Sequence, residues 1–304
     1  MATLSTHIVM VRPFRFRKNE QTATNNFYQK NVANTDNTTA LAQAEFDAFV
    51  AVLRQHGVRV TVYQDPGLYD TPDALFPNNW VSFHPGGAAY FYPMYAKNRR
   101  LERSTALLDQ LTAEGAPYTV KDDWSAYEVA AKFLEGTGSM VLDRDNKIAY
   151  AALSERTHPE VLKVFCDTLG YTAVTFTANQ TVEGKRLPIY HTNVMMSVGP
   201  SFALVCLDSI DALKERAQLL DSLEDSNKEV IQLSEVQIEQ FAGNALTLQG
   251  SNGPILVLSS AGYNALTNKQ LTRIQSHAKI VHSPLPVIEH CGGGSARCMM
   301  AELF

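Results

Sequence analysis

The sequence predicts an α/β fold in which five similar units form one closed, pseudo-symmetric assembly. The order strand, turn, strand, helix, strand recurs at a fairly even spacing, with units starting near Ile8, Trp80, Met140, Val194 and Leu246. No Pro/Ser-rich linker divides residues 1–304, which favours a single domain over the whole chain. On this pattern alone, an α/β sandwich with coincidental spacing remains the alternative.

Each unit is assigned from its local pattern. Short apolar runs between turns predict strands, whereas apolar residues at three- and four-residue spacing, such as Phe46, Phe49 and Leu53, predict helices. Glycines such as Gly57 and Gly170 end the helices. The predicted elements are, unit by unit, 6–16, 40–57 and 58–64; 78–84, 90–95, 99–114 and 118–123; 138–143, 147–153, 159–169 and 171–178; 192–199, 202–208, 212–223 and 228–234; 244–250, 254–260, 267–277 and 279–289.

Composition and charge exclude several classes of function. The formal net charge is −5, and no Lys/Arg run is longer than Arg99–Arg100, so a nucleic-acid partner is not expected. The start, MATLSTHIVMVRP, lacks the basic flank and long apolar stretch of a signal peptide. No window reaches the ~18 consecutive apolar residues of a membrane span. We therefore expect a cytoplasmic protein without a membrane segment.

The four cysteines do not suggest a disulfide scaffold in a chain of this length. Cys166 and Cys206 lie in apolar helix and strand patterns, where a free cysteine usually serves as a small core residue. Cys291 and Cys298 lie in a glycine-rich segment near the end. A zinc site made of His290, Cys291 and Cys298 lacks the paired spacing of known zinc motifs, so we expect no metal.

Polar residues cluster where the first strand of several units begins. If the units surround one axis, these positions converge on a single cavity, as loops at one end of a barrel do. The residues are Asn78, Asn79, Glu135, His191, Asn193 and Asn244, joined by the terminal segment CGGGSARCMM.

These residue types can support thiol catalysis. A cysteine nucleophile acts as its thiolate and needs a partner that accepts its proton. His191 can accept that proton and later protonate a leaving amine, and Glu135 can orient the imidazole. Gly292–Gly294 let backbone approach a substrate closely. Each residue also has an ordinary structural role: a histidine at a strand start often only makes hydrogen bonds.

Four motifs resemble the guanidino-modifying, or pentein, superfamily of arginine deiminases, dimethylarginine hydrolases and amidinotransferases. GGGSARCM is similar to the family's glycine-rich segment ending in the catalytic cysteine, which is Cys298 here. Glu135 in LEGTGSM and His191 in YHTN match the acid and the histidine, and Arg156 in SERT matches an arginine that binds substrate carboxylate. The resemblance covers essentially the whole chain and implies a propeller of five ββαβ-type units around a pseudo-fivefold axis, without a cofactor.

Three departures from the family pattern stand out. Gly138 occupies a position where the family often has aspartate. Arginine deiminases bring two aspartates to the substrate guanidinium, but the matching positions here are Asn79, in FPNN after Phe76, and Asn193. A buried aspartate pair suits a cation, whereas asparagine amides can pair with a neutral ureido group.

The loss of both charges favours citrulline, and the chain resembles the citrulline-utilisation branch. That resemblance implies hydrolysis of citrulline to ornithine, CO₂ and ammonia through a covalent intermediate on Cys298. Asn79, Asn193 or backbone amides are expected to hold the oxyanion. Arg156 is the expected partner of the α-carboxylate and Asp73 that of the α-amino group. Phe76 completes the candidate substrate-binding set.

Other functions stay open at this point. An arginine deiminase, dimethylarginine hydrolase or amidinotransferase could tolerate asparagines in its pocket. A non-catalytic member of the same fold could act as a binding scaffold, although the joint presence of a cysteine, a histidine and a glutamate argues against it. Residues 15–37, polar and rich in asparagine, are a candidate lid over a small-molecule site. A homo-oligomer is compatible with the sequence.

Overall fold

The strands account for most of the architecture. A computed structural model describes residues 4–30 and 37–304. The strands in these residues are β1 (His7–Arg12), β2 (Arg59–Gln64), β3 (Val81–His84), β4 (Ala88–Phe91), β5 (Thr119–Asp123), β6 (Val141–Asp143), β7 (Ile148–Ala152), β8 (Thr172–Phe176), β9 (Asn179–Val182), β10 (Lys185–Pro188), β11 (Met196–Val198), β12 (Phe202–Val205), β13 (Glu229–Gln232), β14 (Leu246–Gly250), β15 (Gly253–Ser259), β16 (Lys279–Ser283) and β17 (Ala301–Leu303).

Five three-stranded sheets with one shared topology occur in the described residues. Their strand orders are β3-β4-β5, β6-β7-β8, β11-β12-β13, β14-β15-β16 and β17-β1-β2. In every sheet the first pair is antiparallel and the second pair is parallel. A helix precedes the third strand of each sheet because a parallel pair needs a crossover connection. The predicted α/β class is confirmed, while the β9–β10 hairpin was not predicted.

The first sheet joins the two ends of the chain. Sequence patterns supplied only two strands for the first unit, and β17 supplies the missing one by pairing antiparallel with β1, in the register His7↔Leu303. The second strand of that unit is therefore β1 and the third is β2. This pairing places the segment just before β17 beside residues from the start of the chain.

The helices pack on the sheets through apolar faces. They are α1 (Thr38–Gln55), α2 (Thr105–Ala113), α3 (Gly136–Ser139), α4 (Pro159–Leu169), α5 (Leu213–Asp225), α6 (Glu235–Glu239), α7 (Ser260–Ala265), α8 (Asn268–Gln275) and α9 (Pro286–Gly292). Helix α4 shows the local logic: Pro159 occupies its first turn, and Gly170 ends it at φ 70°, a conformation that glycine adopts easily. No described helix is long and apolar enough to cross a membrane.

Several predicted elements differ from the structure, and two of them show the physical reason. Residues 279–289 were predicted as one strand, but β16 ends at Ser283 and α9 begins at Pro286, because a proline favours a helix start. The predicted helix 99–114 is divided into a 3₁₀ turn, Asn98–Glu102, and α2. The division at Arg103 and Ser104, both extended, lets the Arg99 side chain point into the protein.

Candidate active site

The cavity of interest lies where short turns lead into the first strands of different sheets. These turns are Pro77–Asn79 before β3, α3 before β6, Thr192–Val194 before β11 and Ala296–Met299 before β17. The cavity contains about 250 Å³ of space free of protein atoms. It is lined by Asn26, Asp73, Phe76, Asn79, Arg99, Arg156, Tyr190, His191, Gly292, Gly294 and Cys298. Six of the eight residues that we assigned to the site from sequence therefore line it directly, and the other two, Glu135 and Asn193, contact lining residues.

Cys298 is held by two amide groups. Asn244 Nδ2 lies 3.2 Å and Asn193 Nδ2 3.5 Å from its Sγ. Asn244 is itself fixed, because its Nδ2 also contacts the carbonyl of Asn193 at 3.0 Å and its Oδ1 accepts from the Arg297 backbone N–H at 3.1 Å. Hydrogen bonds donated to sulfur stabilise negative charge that develops on it during a reaction. This environment is suited to a nucleophilic sulfur.

His191 and Glu135 form a buried hydrogen-bonded pair. The distance from His191 Nε2 to Glu135 Oε2 is 2.8 Å. Burial raises the pKa of Glu135, but Arg156 and His191 outweigh it and hold that pKa well below its usual range. Burial also lowers the pKa of His191 to about 4, despite the opposing effect of Glu135. The imidazole is therefore neutral near pH 7, and because the carboxylate can only accept, Nε2 carries the proton. Nδ1 is left as the basic nitrogen.

The Cys298 sulfur and the His191 imidazole face the same cavity. Both line the cavity, yet the described residues show no hydrogen bond between Cys298 and His191. A ligand carbon between them could be approached by sulfur on one side while Nδ1 serves a leaving group. This arrangement fits covalent catalysis followed by proton transfer.

The lowered pKa of His191 predicts an unusual dependence of kcat/KM on pH below neutrality. Because Nδ1 must be unprotonated in the free enzyme, kcat/KM should persist as the pH falls through ~6.5 and decline only near pH 4. Folding is affected in the same window: the unfolded chain binds a proton at this histidine below ~6.5 and the folded chain does not, so stability falls as the pH drops from ~6.5 to about 4. A kcat/KM profile with circular dichroism at each pH checks both, and an acid limb near 6.5 in folded protein contradicts the assignment.

Arg99 is the main site residue that the sequence analysis missed. Its side chain is buried, and its guanidinium contacts Glu102 through Nε and Nη2 at 2.9–3.2 Å. Nη1 donates to Asn79 Oδ1 at 2.8 Å and Nη2 to the carbonyl of Phe76 at 3.1 Å. Since a guanidinium only donates, Asn79 must direct Oδ1 toward Arg99 and Nδ2 the other way. In the sequence this residue was read only as part of a charge pair.

Gly138 explains one departure from the family pattern. A Cβ at this position would lie 2.3 Å from Asn79 Nδ2 and 2.8 Å from His191 Nδ1. Both distances are shorter than any real contact, so no larger residue fits while these two groups stay in place. The same measurement shows that Asn79 Nδ2 and His191 Nδ1 border one small space. Asn79 Nδ2 has no hydrogen-bond partner among the described residues.

Asp73 offers a buried acceptor at another part of the cavity. Its Oδ2 accepts from Asn19 Nδ2 at 2.8 Å and from Thr22 Oγ1 at 3.0 Å. Its Oδ1 has no partner in the described part of the chain, although the residue is almost fully buried. Burial raises the pKa of Asp73, with Arg99, whose Nε is 3.9 Å from Oδ2, opposing the shift. A buried carboxylate oxygen of this kind suits an ammonium group.

Residues 19–29, which we call the strap, cover the cavity. Arg156 is bound to the strap by Nη2, which donates to the carbonyl of Thr22 at 2.9 Å, and by Nε, which donates to Asn25 Oδ1 at 2.9 Å. Asn26 and Gln29 bind the glycine-rich segment, with Gln29 Nε2 3.0 Å from the carbonyl of Gly292. The strap belongs to the candidate lid 15–37, of which residues 31–36 lie outside the described residues.

Arg156 links the strap to the His191–Glu135 pair. Its Nη1 lies 3.4 Å from Glu135 Oε2, and its guanidinium packs over the rings of Tyr95 and Tyr190. The guanidinium lines the cavity, but most of its N–H groups already have protein partners. Tyr190 was not identified from sequence; its hydroxyl donates to the carbonyl of Gly293 at 2.8 Å and fixes the glycine-rich segment.

The other cysteines lie away from the cavity lining. Cys166, Cys206 and Cys291 are buried in hydrophobic clusters. Cys291 belongs to α9 and lies five residues before the start of the turn Ala296–Met299, which contains Cys298. Over residues 4–30 and 37–304, no group of three or more His, Cys, Asp or Glu side chains could hold a metal ion.

Comparisons with known proteins agree with this architecture. A family model described as N,N dimethylarginine dimethylhydrolase, eukaryotic, matches residues 12–304. A search of the curated proteins gives no match. A solved structure of the N-terminal domain of ArgZ, a cyanobacterial arginine dihydrolase, in a mutant form bound to substrate, is 15% identical with a TM-score of 0.71 and covers 98% of each chain.

Two further solved structures extend the comparison. Unliganded AgrE is 16% identical with a TM-score of 0.72, over 97% of this chain and 39% of AgrE. A dimethylarginine dimethylaminohydrolase adduct with S-methyl-L-thiocitrulline is 13% identical with a TM-score of 0.63, over 98% of this chain and 100% of that one. The chain thus spans 39% of full-length ArgZ and AgrE, and these structures share its fold.

Proposed function

The chain belongs to the N,N-dimethylarginine dimethylhydrolase family within the pentein superfamily, and from that premise we propose that it is a thiol hydrolase of citrulline. The proposed reaction consumes one water and gives ornithine, CO₂ and ammonia. Cys298 is the nucleophile, His191 the proton carrier and Glu135 the residue that orients it. Asn79, Asn193, Asp73, Arg156 and Phe76 form the substrate-binding set.

The observation that carries the choice of citrulline is the fixed orientation of the Asn79 amide. Arg99 Nη1 donates to Asn79 Oδ1, so only the N–H groups of Asn79 face the cavity. A donor matches the carbonyl oxygen of a ureido group. It does not match a guanidinium, which has only N–H groups to offer. The same donor remains in place when the oxygen becomes an oxyanion, which supports the transition state.

The charges of the cavity lining support a neutral reacting group. The lining contains two guanidiniums, Arg99 and Arg156, and one carboxylate, Asp73. Citrulline carries an α-carboxylate and an α-ammonium, which Arg156 and Asp73 can bind, and its ureido end is uncharged. Arginine would bring a second cation, its guanidinium, and since Glu102 and Glu135 are already paired with Arg99 and Arg156, the lining offers no second carboxylate to receive it. Burying such an unpaired charge is unfavourable.

The first half of the proposed reaction forms a covalent intermediate. The thiol proton of Cys298 passes to His191 Nδ1, and sulfur attacks the ureido carbon. The carbonyl electrons move to oxygen, which Asn79 Nδ2 stabilises. The backbone N–H of Cys298 already donates to the carbonyl of Ser295 at 3.0 Å, so it does not serve the oxyanion. When the intermediate collapses, the bond from carbon to the ornithine nitrogen breaks and His191 protonates that nitrogen.

The second half releases the carbamoyl group. His191 takes a proton from water, the resulting hydroxide attacks the S-carbamoyl carbon, and sulfur leaves as the thiolate. The carbamate then decomposes to CO₂ and ammonia. Asn244 and Asn193 receive the regenerated thiolate through the N–H groups that already face Sγ.

The direct test is to incubate the purified protein with citrulline and to quantify ornithine and ammonia. We expect equal amounts of both. Parallel reactions with arginine and dimethylarginine cover the second candidate function, a guanidino hydrolase, which the family model favours by its description. Turnover of a guanidino substrate without turnover of citrulline would contradict the substrate assignment.

We also propose that the strap opens to admit the substrate and then positions Arg156. Asn25→Ala removes the acceptor of Arg156 Nε, so we expect KM for citrulline to rise about tenfold, the effect of losing a hydrogen bond to a charged group, with kcat within about threefold. The matched control is Thr24→Ala, because in the described residues that hydroxyl donates to the carbonyl of Gln21, within the strap, and not to Arg156. Equal effects of both variants on KM contradict this role.

We propose, finally, that the five sheets close into a propeller that spans residues 1–304 as one domain. The pairing of β17 with β1 supports closure, because it joins the last unit to the first. The first strands of different sheets also contact one another: β3 contacts β17, and β11 contacts both β6 and β14.

A further inference from the structure

A second cavity lies behind the candidate active site. It contains about 600 Å³ of space free of protein atoms. Four sheets contribute the second residue of their first strand to its lining: Leu142 in β6, Ser197 in β11, Thr247 in β14 and Glu302 in β17. These four positions occupy the same place in the register of their sheets, where they pair with Ala149, Leu204, Leu256 and Ile8. Their side chains therefore point in the same direction relative to each sheet.

The charges in this second cavity are unevenly paired. Arg297 Nη2 and Arg144 Nη2 lie 3.2 Å and 3.4 Å from the same oxygen, Oε2 of Glu302. Two guanidiniums therefore share one carboxylate, all three being about 90% buried or more at the side chain. The nearby Asp143 has its own cation, Lys228, at 3.0 Å. The buried charged groups named here are thus three cations, Arg144, Arg297 and Lys228, and two carboxylates, Glu302 and Asp143, while the third lining carboxylate, Asp145, is exposed.

Buried hydroxyl groups accompany these guanidiniums. Ser197 Oγ and Thr247 Oγ1 have no hydrogen-bond partner in the described part of the chain, although both residues are about 95% buried. Buried polar groups are almost always satisfied in native proteins, so an unpaired set in one cavity indicates a ligand or ordered water. Hydroxyls can donate, as guanidiniums do. This set of donors matches the oxygens of a small anion.

We propose that this cavity binds a small oxyanion, of the phosphate, bicarbonate or carboxylate class, and that its occupancy is transmitted to Cys298. Arg297 precedes the cysteine in the chain. Asn193 lines the second cavity; its Oδ1 has no hydrogen-bond partner within residues 4–30 and 37–304, and its Nδ2 faces Sγ. An anion bound at Arg297 adds negative charge behind the sulfur and should slow its reaction as a nucleophile.

The site is tested by calorimetric titration of the full chain, after alkylation of Cys298 fills the first cavity, with inorganic phosphate, bicarbonate and acetate in separate arms. We expect at least one of the three to bind at a single site, and the arms identify which. Ser197→Ala with Thr247→Val should weaken binding about tenfold, because two donors are lost. Glu302→Gln should tighten it, because the competing carboxylate is removed. Absence of binding in all three arms overturns the proposal.

The opposite directions of these changes separate binding from folding. A merely destabilised variant loses affinity, so tighter binding by Glu302→Gln cannot arise from damage to the fold, and thermal unfolding of each variant is measured alongside. Transmission to the sulfur is read from the rate of Cys298 alkylation in unmodified protein, which the bound anion should slow in the wild type but not in the Ser197→Ala, Thr247→Val variant at the same concentration. Equal slowing in both overturns the proposed coupling. None of these measurements depends on citrulline being the substrate.

Discussion

Cys298→Ala should lower kcat for citrulline by at least about 10⁴-fold while leaving citrulline binding measurable. Cys298 is the one thiol among the residues that line the first cavity, so no second nucleophile can replace it. Its two amide partners would remain and keep the cavity in shape. Ornithine formation gives the rate, calorimetry gives the affinity, and mass spectrometry of the rapidly quenched wild type should detect a carbamoyl group on the peptide that contains Cys298.

Cys291→Ala is the matched control for that experiment. It removes a thiol from the same glycine-rich segment, but Cys291 is completely buried in a hydrophobic cluster and does not line the cavity. We expect its kcat to stay near that of the wild type, with a modest loss of stability from the small cavity created. If both variants lose activity alike, or if Cys298→Ala keeps more than about 1% of kcat, the nucleophile has been assigned wrongly.

Asn79→Asp should lower kcat/KM for citrulline by about 10²- to 10³-fold, the usual effect of losing an oxyanion donor. It should not create activity on arginine. The reason is Arg99, whose Nη1 already lies 2.8 Å from the position of the side-chain oxygen and would pair with the new carboxylate. The new carboxylate would share that guanidinium with Glu102, and its charge would be less available to a substrate guanidinium. The measurement is kcat/KM for both substrates.

Adding Arg99→Gln to Asn79→Asp should change that result. The carboxylate would lose its guanidinium partner and face the cavity as an unpaired acceptor, so the preference for arginine over citrulline should shift by about 10- to 100-fold. A glutamine at 99 can still donate to Glu102, which limits damage to the buried pair. Arg99→Gln alone is the control and should lose citrulline activity without this shift. If the single Asn79→Asp variant already accepts arginine as well as the double variant does, Arg99 is not the residue that sets specificity.

The sequence predicted those parts of the fold that have strong local patterns. Helix α4 and the strands β6–β8 and β11–β16 follow from apolar spacing and glycine stops. The three-residue β17 has too few residues to show a pattern, and its partner β1 lies almost 300 residues away, so only the assembled chain shows how the first unit is completed. The β9–β10 hairpin is a polar insertion, and its exposed residues carry little of the alternation that predicts strands.

For the candidate site, the sequence allowed a prediction where residue types are distinctive. Cys298, His191 and Glu135 stand in motifs, and the asparagine at 79 was informative because of what it replaces. Arg99 was missed because a buried arginine next to Arg100 looks like a solvated charge pair in sequence. The strap was recognised only as a segment without core periodicity, because its role depends on polar contacts to Asp73 and Arg156 that no linear spacing encodes.

The pairing of β17 with β1 also sets when Cys298 becomes ordered during folding. This residue lies in the turn that leads into β17, and its position is defined only once that strand has docked on β1, almost 300 residues away in the chain. A folding intermediate in which the other four sheets have formed still exposes one edge of β1 and leaves Cys298 without its final position. Such long-range pairing is slow to form, so we expect the candidate site to be completed late in folding.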